Sequence, residues 1–404
     1  MDGDKSKKLI AIEGTPLNPA KKDGHCPFRL RCKFTCDSCG ELGMPEMTFF
    51  SPTHGAACYR KPEELKREVT VIYDTEKKNI SDNTLLELKG IKKYFPVYKG
   101  MARTKIADVK ALDDVSFSIY KGETLGLVGE SGCGKTTLAK TILRIYDATE
   151  GQIVFDGQDI TGLKGGQLRK VRSRMQFIFQ DPFGSLDPRQ TCENIIGEPI
   201  KNFGLAKNKQ EYNKMIDDLC ISVGLDPALK QRVPHEFSGG QRQRISIART
   251  LASNPAFIIC DEPISALDVS IQAQVINLLI DLQKQRELTY LFIAHDLSVV
   301  RHISDRIIVM YLGRIVEISP ADELYENPLH PYTQALLSAI PIPDPVLEKK
   351  RVRTQIQGEI PSLINRPEGC VFHNRCPHCM DKCLKEVPEM KQYEHGHSAA
   401  CHYI

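Results

Sequence analysis

The chain has 404 residues, of which 41% are apolar and 26% charged, and its formal net charge is +3. That composition excludes a disordered or fibrous protein, and so small a charge gives no argument for nucleic acid as a partner. No stretch reaches the run of about 18 uncharged apolar residues that a membrane-spanning helix needs, and the N-terminal MDGDKSKKLIAIEG lacks the apolar core and cleavage site of a secretory signal.

In chain order, residues 1–65 read as a Cys-rich module and residues 66–84 as a polar linker. Leu86 and Leu88, then Val115, Phe117 and Ile119, alternate with the two-residue period of half-buried strands. A short buried strand over Thr124–Val128 enters a Gly-rich turn, and Leu138, Ile142 and Ile145 follow at helix spacing. Phe257–Cys260 is a continuous apolar run ending in two acids. Ile271, Val275, Leu278, Leu279 and Leu282 then mark one helix face, and Leu291–Ala294 and Ile307–Met310 are further apolar runs. Buried strands separated by amphipathic helices predict an α/β fold over residues 85–320, with a mostly parallel sheet covered on both faces. Residues 321–404 hold a Pro-rich connector and a second Cys group.

Cysteine usage is the anomaly. Of 14 cysteines, five lie within residues 26–58 and five within 370–401. In a reducing compartment such groups ligate metals or clusters rather than form disulfides. The two ends also repeat each other. Ile12-Glu13-Gly14 and Ile356-Gln357-Gly358 precede Cys26 and Cys370 at the same distance. Cys26-Pro-Phe-Arg-Leu-Arg-Cys32 matches Cys370-Val-Phe-His-Asn-Arg-Cys376, Pro45-Glu46-Met47 matches Pro388-Glu389-Met390, and His54-Gly-Ala-Ala-Cys58 matches His397-Ser-Ala-Ala-Cys401. A single-residue length difference after Cys39 keeps all of these in register, so the chain carries two copies of one small Cys module.

Gly129-Glu-Ser-Gly-Cys-Gly134-Lys135-Thr136 fits GxxxxGK[ST] between a buried strand and a helix. Glycines let backbone N–H groups turn inward around phosphate oxygens, and the helix N-terminus adds partial positive charge. The nucleotide-binding candidates are Gly129, Glu130, Ser131, Gly132, Cys133, Gly134, Lys135, Thr136 and Thr137. Lys135 is expected on the β- and γ-phosphates, Thr136 on Mg²⁺, and Cys133 only through its backbone N–H. At the end of the strand over Phe257–Cys260, Asp261 is expected to hold Mg²⁺ through water and Glu262 to accept a proton from the attacking water. Ser238-Gly239-Gly240-Gln241 stands before a helix and offers another anion site.

An SGGQ segment between a phosphate loop and an Asp-Glu strand resembles the signature of ATP-binding cassette (ABC) proteins. Gln180 in Phe-Gln-Asp-Pro resembles that family's Q-loop, Ser265-Ala-Leu-Asp268 its D-loop and His295 its switch histidine. Phe95 stands where the family stacks an aromatic ring on adenine, with Tyr94 the neighbouring alternative. The resemblance implies a P-loop ATPase cassette with an antiparallel β subdomain and a helical subdomain over about residues 181–240. It implies ATP as substrate, Mg²⁺ held by Thr136, Gln180 and Asp261, and catalysis by Glu262, His295, Lys135 and Gln180. The family's signature faces the phosphate loop of a partner cassette, so a chain with one of each needs a second cassette.

The tail narrows the resemblance. Tyr311-Leu-Gly-Arg-Ile-Val-Glu and the stretch from Glu323 to Pro341 resemble the ATPase subunits of oligopeptide and dipeptide importers, a pattern that nickel importers share. This implies an ATP-hydrolysing subunit powering peptide import, peripheral on the cytoplasmic face of the membrane. Its implied partners are a homologous ATPase subunit in a heterodimer, two transmembrane permease subunits and an extracytoplasmic substrate-binding protein. The alternative is a soluble iron–sulfur ABC ATPase acting in ribosome recycling, but such proteins carry two fused cassettes and this chain has one. On ligand softness alone, four thiolates suit either zinc or an iron–sulfur cluster. Cys370, Cys376, Cys383 and Cys401 resemble the importer family's [4Fe–4S] ligands, with Cys379 extra. By the repeat, Cys26, Cys32, Cys39 and Cys58 form a second site, with Cys36 spare; the competing reading is a fusion remnant.

Overall fold

The computed structural model describes residues 9, 14, 23–52, 54–65, 80–99, 104–341, 348–349, 356 and 358–404. Ile12, Glu13 and Gln357 of the repeated stretches, and most of the expected linker, lie outside the described residues. The chain divides into two units, one containing the N-terminal Cys-rich stretch and the other the Gly-rich loop, the Asp-Glu strand and the C-terminal tail.

In the N-terminal stretch a one-turn helix α1 (Ser38–Glu41) is followed by a hairpin of β1 (Met47–Ser51) and β2 (His54–Ala57), then α2 (Pro62–Leu65). Thr48 pairs with Ala56 and Phe49 with Gly55. Every residue of β1 is exposed, and α1 buries only Cys39. So small a segment has little core of its own.

The larger unit begins with β3 (Thr84–Lys99) and β4 (Thr104–Tyr120), continues to β5 (Thr124–Val128) and α3 (Lys135–Ile142), and then to β6 (Glu150–Phe155) and β7 (Gln158–Asp159). After α4 (Gly165–Arg174) and β8 (Met175–Ile178) comes a helical segment of α5 (Pro182–Ser185), α6 (Cys192–Phe203), α7 (Lys209–Ser222) and α8 (Gly239–Leu251). Then follow β9 (Phe257–Asp261), α9 (Val269–Arg286), β10 (Thr289–Ile293), α10 (Leu297–Ile303), β11 (Arg306–Tyr311) and β12 (Arg314–Pro320). The tail adds α11 (Ala321–Glu326), α12 (Pro331–Ser338), α13 (Asp381–Lys385), β13 (Lys391–Gln392) and β14 (Ser398–Ala399).

Two sheets organise this unit. The alternating strands form an antiparallel sheet in the order β4-β3-β6-β7, and the continuous apolar runs lie in the second, in the order β13-β14-β12-β11-β5-β10-β9-β8. Within it, β11, β5, β10, β9 and β8 run parallel. β5, β9 and β10 are buried along their whole length, which explains why their sequences show no alternation. Leu125, Leu138, Ile142, Phe155, Phe257 and Leu291 belong to one core that joins both sheets to α3.

One helix ends sooner than its spacing predicts. α3 stops at Ile142; Arg144 takes a left-handed φ of 58°, and Ile145 is 50% exposed. The Arg144 guanidinium donates to the Ile160 carbonyl at 3.0 Å, which holds the turn. The tail also enters the sheet: β14 pairs with β12, placing Ala399 opposite Glu317. Among the described residues no helix is long and apolar enough to cross a membrane.

Candidate nucleotide-binding site

The Gly-rich loop joins the buried end of β5 to α3. At Gly129 (φ 152°) a Cβ would stand 2.2 Å from the Met310 carbonyl oxygen, and at Gly134 (φ 111°) 2.5 Å from that of Ala111. Backbone approaches that close admit only glycine. No side chain caps α3, so its first N–H groups face the loop. The Lys135 ammonium donates to the Gly129 and Glu130 carbonyls at 2.8 and 3.0 Å. Cys133 is buried, which pushes its thiol pKa up, and its N–H points back to the Glu130 carbonyl at 3.3 Å. The expected use of that N–H for phosphate is therefore met by a competing contact within the loop.

The carboxylates approach from β9. Thr136 Oγ1 donates to Asp261 Oδ1 at 3.4 Å. Burial raises the Asp261 pKa, and the neighbouring Glu262 charge adds to the rise. Glu262 follows at a left-handed φ of 50°, its N–H bonded to the Ile293 carbonyl at 2.8 Å. A non-glycine residue in that region is uncommon, and Arg144 at the end of α3 shares it. Gln180 Nε2 donates to Glu262 Oε2 at 2.6 Å, and His295 Nε2 contacts Glu262 Oε1. A cleft of about 230 Å³ brings Ser131, Gly132, Gly134, Lys135, Thr136 and Thr137 together with Gln180, Glu262 and His295. Ala111 and Leu363 complete its wall.

Other expected residues stand apart from this cleft. Ser238 caps α8, exchanging bonds with Gln241 (Ser238 N to Gln241 Oε1 3.0 Å, Gln241 N to Ser238 Oγ 3.4 Å), so Ser238–Gln241 forms a rigid helix start elsewhere on the surface. The Phe95 ring packs edge-on against Tyr146 at 5.4 Å. Tyr94 donates to Asp113, and its hydroxyl pKa is pushed up to about 12, by burial first and by that bond second. This bond commits the Tyr94 hydroxyl, whereas Phe95 has no polar tether.

Several residues at the site escaped the motif reading. The Glu130 carboxylate receives two bonds from Arg375, at 2.7 and 3.0 Å, and Glu130 N donates to Tyr332 Oη at 2.8 Å. Two tail residues thus grip the phosphate loop. Asp113 gathers Tyr94, Arg314 and Arg366. Burial alone raises its pKa, but the bonds from Arg366, Tyr94 and Arg314 outweigh that and hold it well below the usual carboxylate range. Glu317, fully buried, accepts from Leu329 N at 2.7 Å and His330 N at 3.1 Å and meets His397 Nε2 at 2.7 Å. The repeat held a signal for two of these residues, since Arg375 and His397 match Arg31 and His54.

In the tail, Cys370, Cys383 and Cys401 are buried, Cys376 is half-buried and Cys379 exposed. Burial pushes the Cys370 thiol up to about 11, and the charges of Cys383, Cys401 and Cys376 each raise it further. Those four thiols are therefore within electrostatic reach of one another. Among the described residues no group of three or more Cys, His, Asp or Glu is spaced to hold a single metal ion.

A phosphate loop, a strand ending in paired acids and a glutamine–histidine clasp on the second acid define a P-loop ATPase cassette. Comparison with known proteins gives the same answer. The ABC transporter family model matches residues 112–265, and the model of the oligopeptide/dipeptide transporter C-terminal region matches 316–383 and also 1–39. Oligopeptide transport ATP-binding protein AppF of Bacillus subtilis is 56% identical over 80% of this chain and 98% of its own length. Oligopeptide transport ATP-binding protein OppF of Escherichia coli is 50% identical over 78% of this chain and 95% of its own length. Among solved structures, a dimeric ATP-binding cassette in a post-hydrolysis state with ADP and Pi superposes with TM-score 0.53. It is 28% identical and covers 59% of this chain and 99% of the other. The chain belongs to the ATP-binding subunits of the oligopeptide ABC transporters, a family of ATP-hydrolysing cassettes. That membership displaces the ribosome-recycling alternative.

Proposed function

We propose that this chain hydrolyses ATP at a site completed by a second, related cassette, and so drives import of peptides through two permease subunits supplied by an extracytoplasmic substrate-binding protein. The observation that carries the reading is Glu262, a carboxylate held between Gln180 and His295 beside the phosphate loop. Glu262 accepts the proton of the attacking water, and Gln180 and His295 hold it in line. Lys135 leaves the Gly129 and Glu130 carbonyls for the β- and γ-phosphates. Thr136, Asp261 and Gln180 would hold Mg²⁺, which would offset the charge of the phosphates. Phe95 supports the adenine. Ser238–Gln241 lies away from this chain's own cleft, as an element serving a partner's ATP would, and the partner's signature closes this one. The relatives named for oligopeptide transport support peptides over nickel as cargo, and a peripheral place on the cytoplasmic membrane face.

Turnover by Glu262→Gln should fall more than about 100-fold, the scale of a lost general base, while ATP still binds. Steady hydrolysis at the wild-type rate would overturn the assignment.

The Cys370, Cys376, Cys383 and Cys401 thiols suit a [4Fe–4S] cluster. Cys370, Cys383 and Cys401 are buried and Cys376 half-buried, and their spacing resembles that of the importer family's cluster ligands. The N-terminal thiols Cys26, Cys32, Cys39 and Cys58 match these four by the sequence repeat, and Arg60 N donates to Cys58 Sγ at 3.4 Å as Tyr403 N does to Cys401 Sγ at 3.4 Å. A bound cluster supplies a cross-link that a segment with so little core lacks. Protein purified without oxygen should contain iron and sulfide for two clusters. Serine at Cys370 and Cys376 should remove half, and serine at Cys26 and Cys32 the other half. Zinc without sulfide would defeat the reading at both ends.

A further inference from the structure

The N-terminal Cys module repeats the C-terminal one in backbone as well as in sequence. Arg29 N bonds to the Cys26 carbonyl at 3.1 Å, as His373 N does to that of Cys370 at 3.1 Å. Arg31 N bonds to Phe28 O at 2.9 Å, as Arg375 N does to Phe372 O at 3.0 Å; Cys39 N bonds to Cys36 O at 2.9 Å, as Cys383 N does to Met380 O at 2.8 Å. The hairpins keep the same register, Thr48–Ala56 and Phe49–Gly55 matching Lys391–Ala399 and Gln392–Ser398. A segment that had lost its role would have no reason to keep this geometry.

The C-terminal copy shows what the shared side chains do when docked. Phe372, 1% exposed, packs on Tyr311 and Tyr332 at 5.2 and 5.4 Å. Arg375 clasps the Glu130 carboxylate, and His397 meets Glu317. The N-terminal copy keeps all three, as Phe28, Arg31 and His54. Yet Phe28 is 52% exposed, and among the described residues no carboxylate pairs with Arg31 or His54. Arg31 Nε is buried without a hydrogen-bond partner, as Arg375 Nε is, so the difference between the copies lies in the carboxylate that only Arg375 meets. An aromatic ring, a guanidinium and an imidazole thus stand ready for a face that offers tyrosines and two carboxylates.

We propose that the N-terminal module is a docking unit in trans: Phe28, Arg31 and His54 cover, on a second cassette, the face that Phe372, Arg375 and His397 cover on this one. A second copy of this chain does not fit as the occupant, because its own tail already fills that face. The occupant is a related ATPase that presents acids and tyrosines at the positions of Glu130, Glu317, Tyr311 and Tyr332 and has no Cys tail of its own. This rests on the reading of a heterodimer. It adds a tether that holds the pair together without ATP and gives each cassette one Cys module.

The test uses the full-length chain co-expressed with the second ATPase of its transport system, purified without nucleotide and followed by sedimentation. Phe28→Ala and Arg31→Glu should each weaken the pair at least tenfold, and amine cross-linking of the wild-type pair should join Lys33 to the partner beside its phosphate loop. The cross-link is independent of how the variants fold. A pair that forms with unchanged affinity in both variants, or Lys33 cross-linked only within its own chain, would overturn the docking role and leave the heterodimer standing. A second ATPase that carries its own Cys tail would overturn it as well. If the chain assembles only with itself, the heterodimer fails and this occupant fails with it.

Discussion

The two Cys modules share a backbone pattern and a set of side chains, yet the matched aromatic ring is buried in one and exposed in the other. Phe372 is 1% exposed and Phe28 is 52% exposed; β14 lies in an eight-stranded sheet, and β1 is exposed along its whole length. The difference teaches that the module is local structure without much stability of its own. What it gains in the C-terminal copy comes from the cassette edge: the Tyr311 and Tyr332 rings, the Glu130 carboxylate and the open flank of β12.

The sharpest way to break the comparison is at the aromatic pair. Phe372→Ala should cost about 3–5 kcal/mol, as for a large buried ring removed from a packed site. Phe28→Ala in the isolated chain should cost under about 0.5 kcal/mol, as for an ordinary surface change. Thermal unfolding of both variants measures this directly, and equal losses would mean that the N-terminal ring is as buried in solution as its counterpart.

Next in size is the arginine pair. Arg375→Ala leaves Glu130 unpartnered beside the phosphate loop and should cost roughly 2–3 kcal/mol, less than a fully buried pair because the Glu130 side chain is 22% exposed. ATP affinity should fall with it, since Glu130 is a loop residue. Arg31→Ala should leave both stability and ATP affinity unchanged. An unaltered ATP dissociation constant in Arg375→Ala would show that the tail does not brace the loop.

A third effect, similar in size but spread over a pH range, is a pH dependence confined to the docked copy. Burial lowers the His330 pKa from 6.5 to about 4, with Glu317 opposing the fall, and its ring lies 5.7 Å from Phe372. The unfolded chain therefore binds the proton first, and stability contributed by neutral His330 is present above pH 6.5 and is lost as pH falls toward 4. The loss over that window is of order 2–3 kcal/mol. Melting temperature of wild type against His330→Gln across that range tests it: the variant should have a shallower slope, and parallel curves would remove His330 from the account.

The sequence alone pointed to the candidate nucleotide-binding site of this protein. The phosphate loop, Asp261 and Glu262 stood out as candidates because such chemistry needs fixed residue types at the end of a buried strand, whose unbroken apolar run marks it, whereas Gln180 and His295 were picked out by resemblance to the family's motifs. It also revealed the repeat, because matched cysteines at matched spacing need no third dimension. Tertiary structure alone decided what distinguishes the two copies. Nothing local separates Arg31 from Arg375 or His54 from His397; their partners Glu130 and Glu317 lie far away along the chain, and only folding brings a carboxylate to one of each pair. The early end of α3 and the grip of Tyr332 on Glu130 were hidden for the same reason. Periodicity reports which face of an element is buried, whereas a long-range hydrogen bond depends on where another element's end comes to rest.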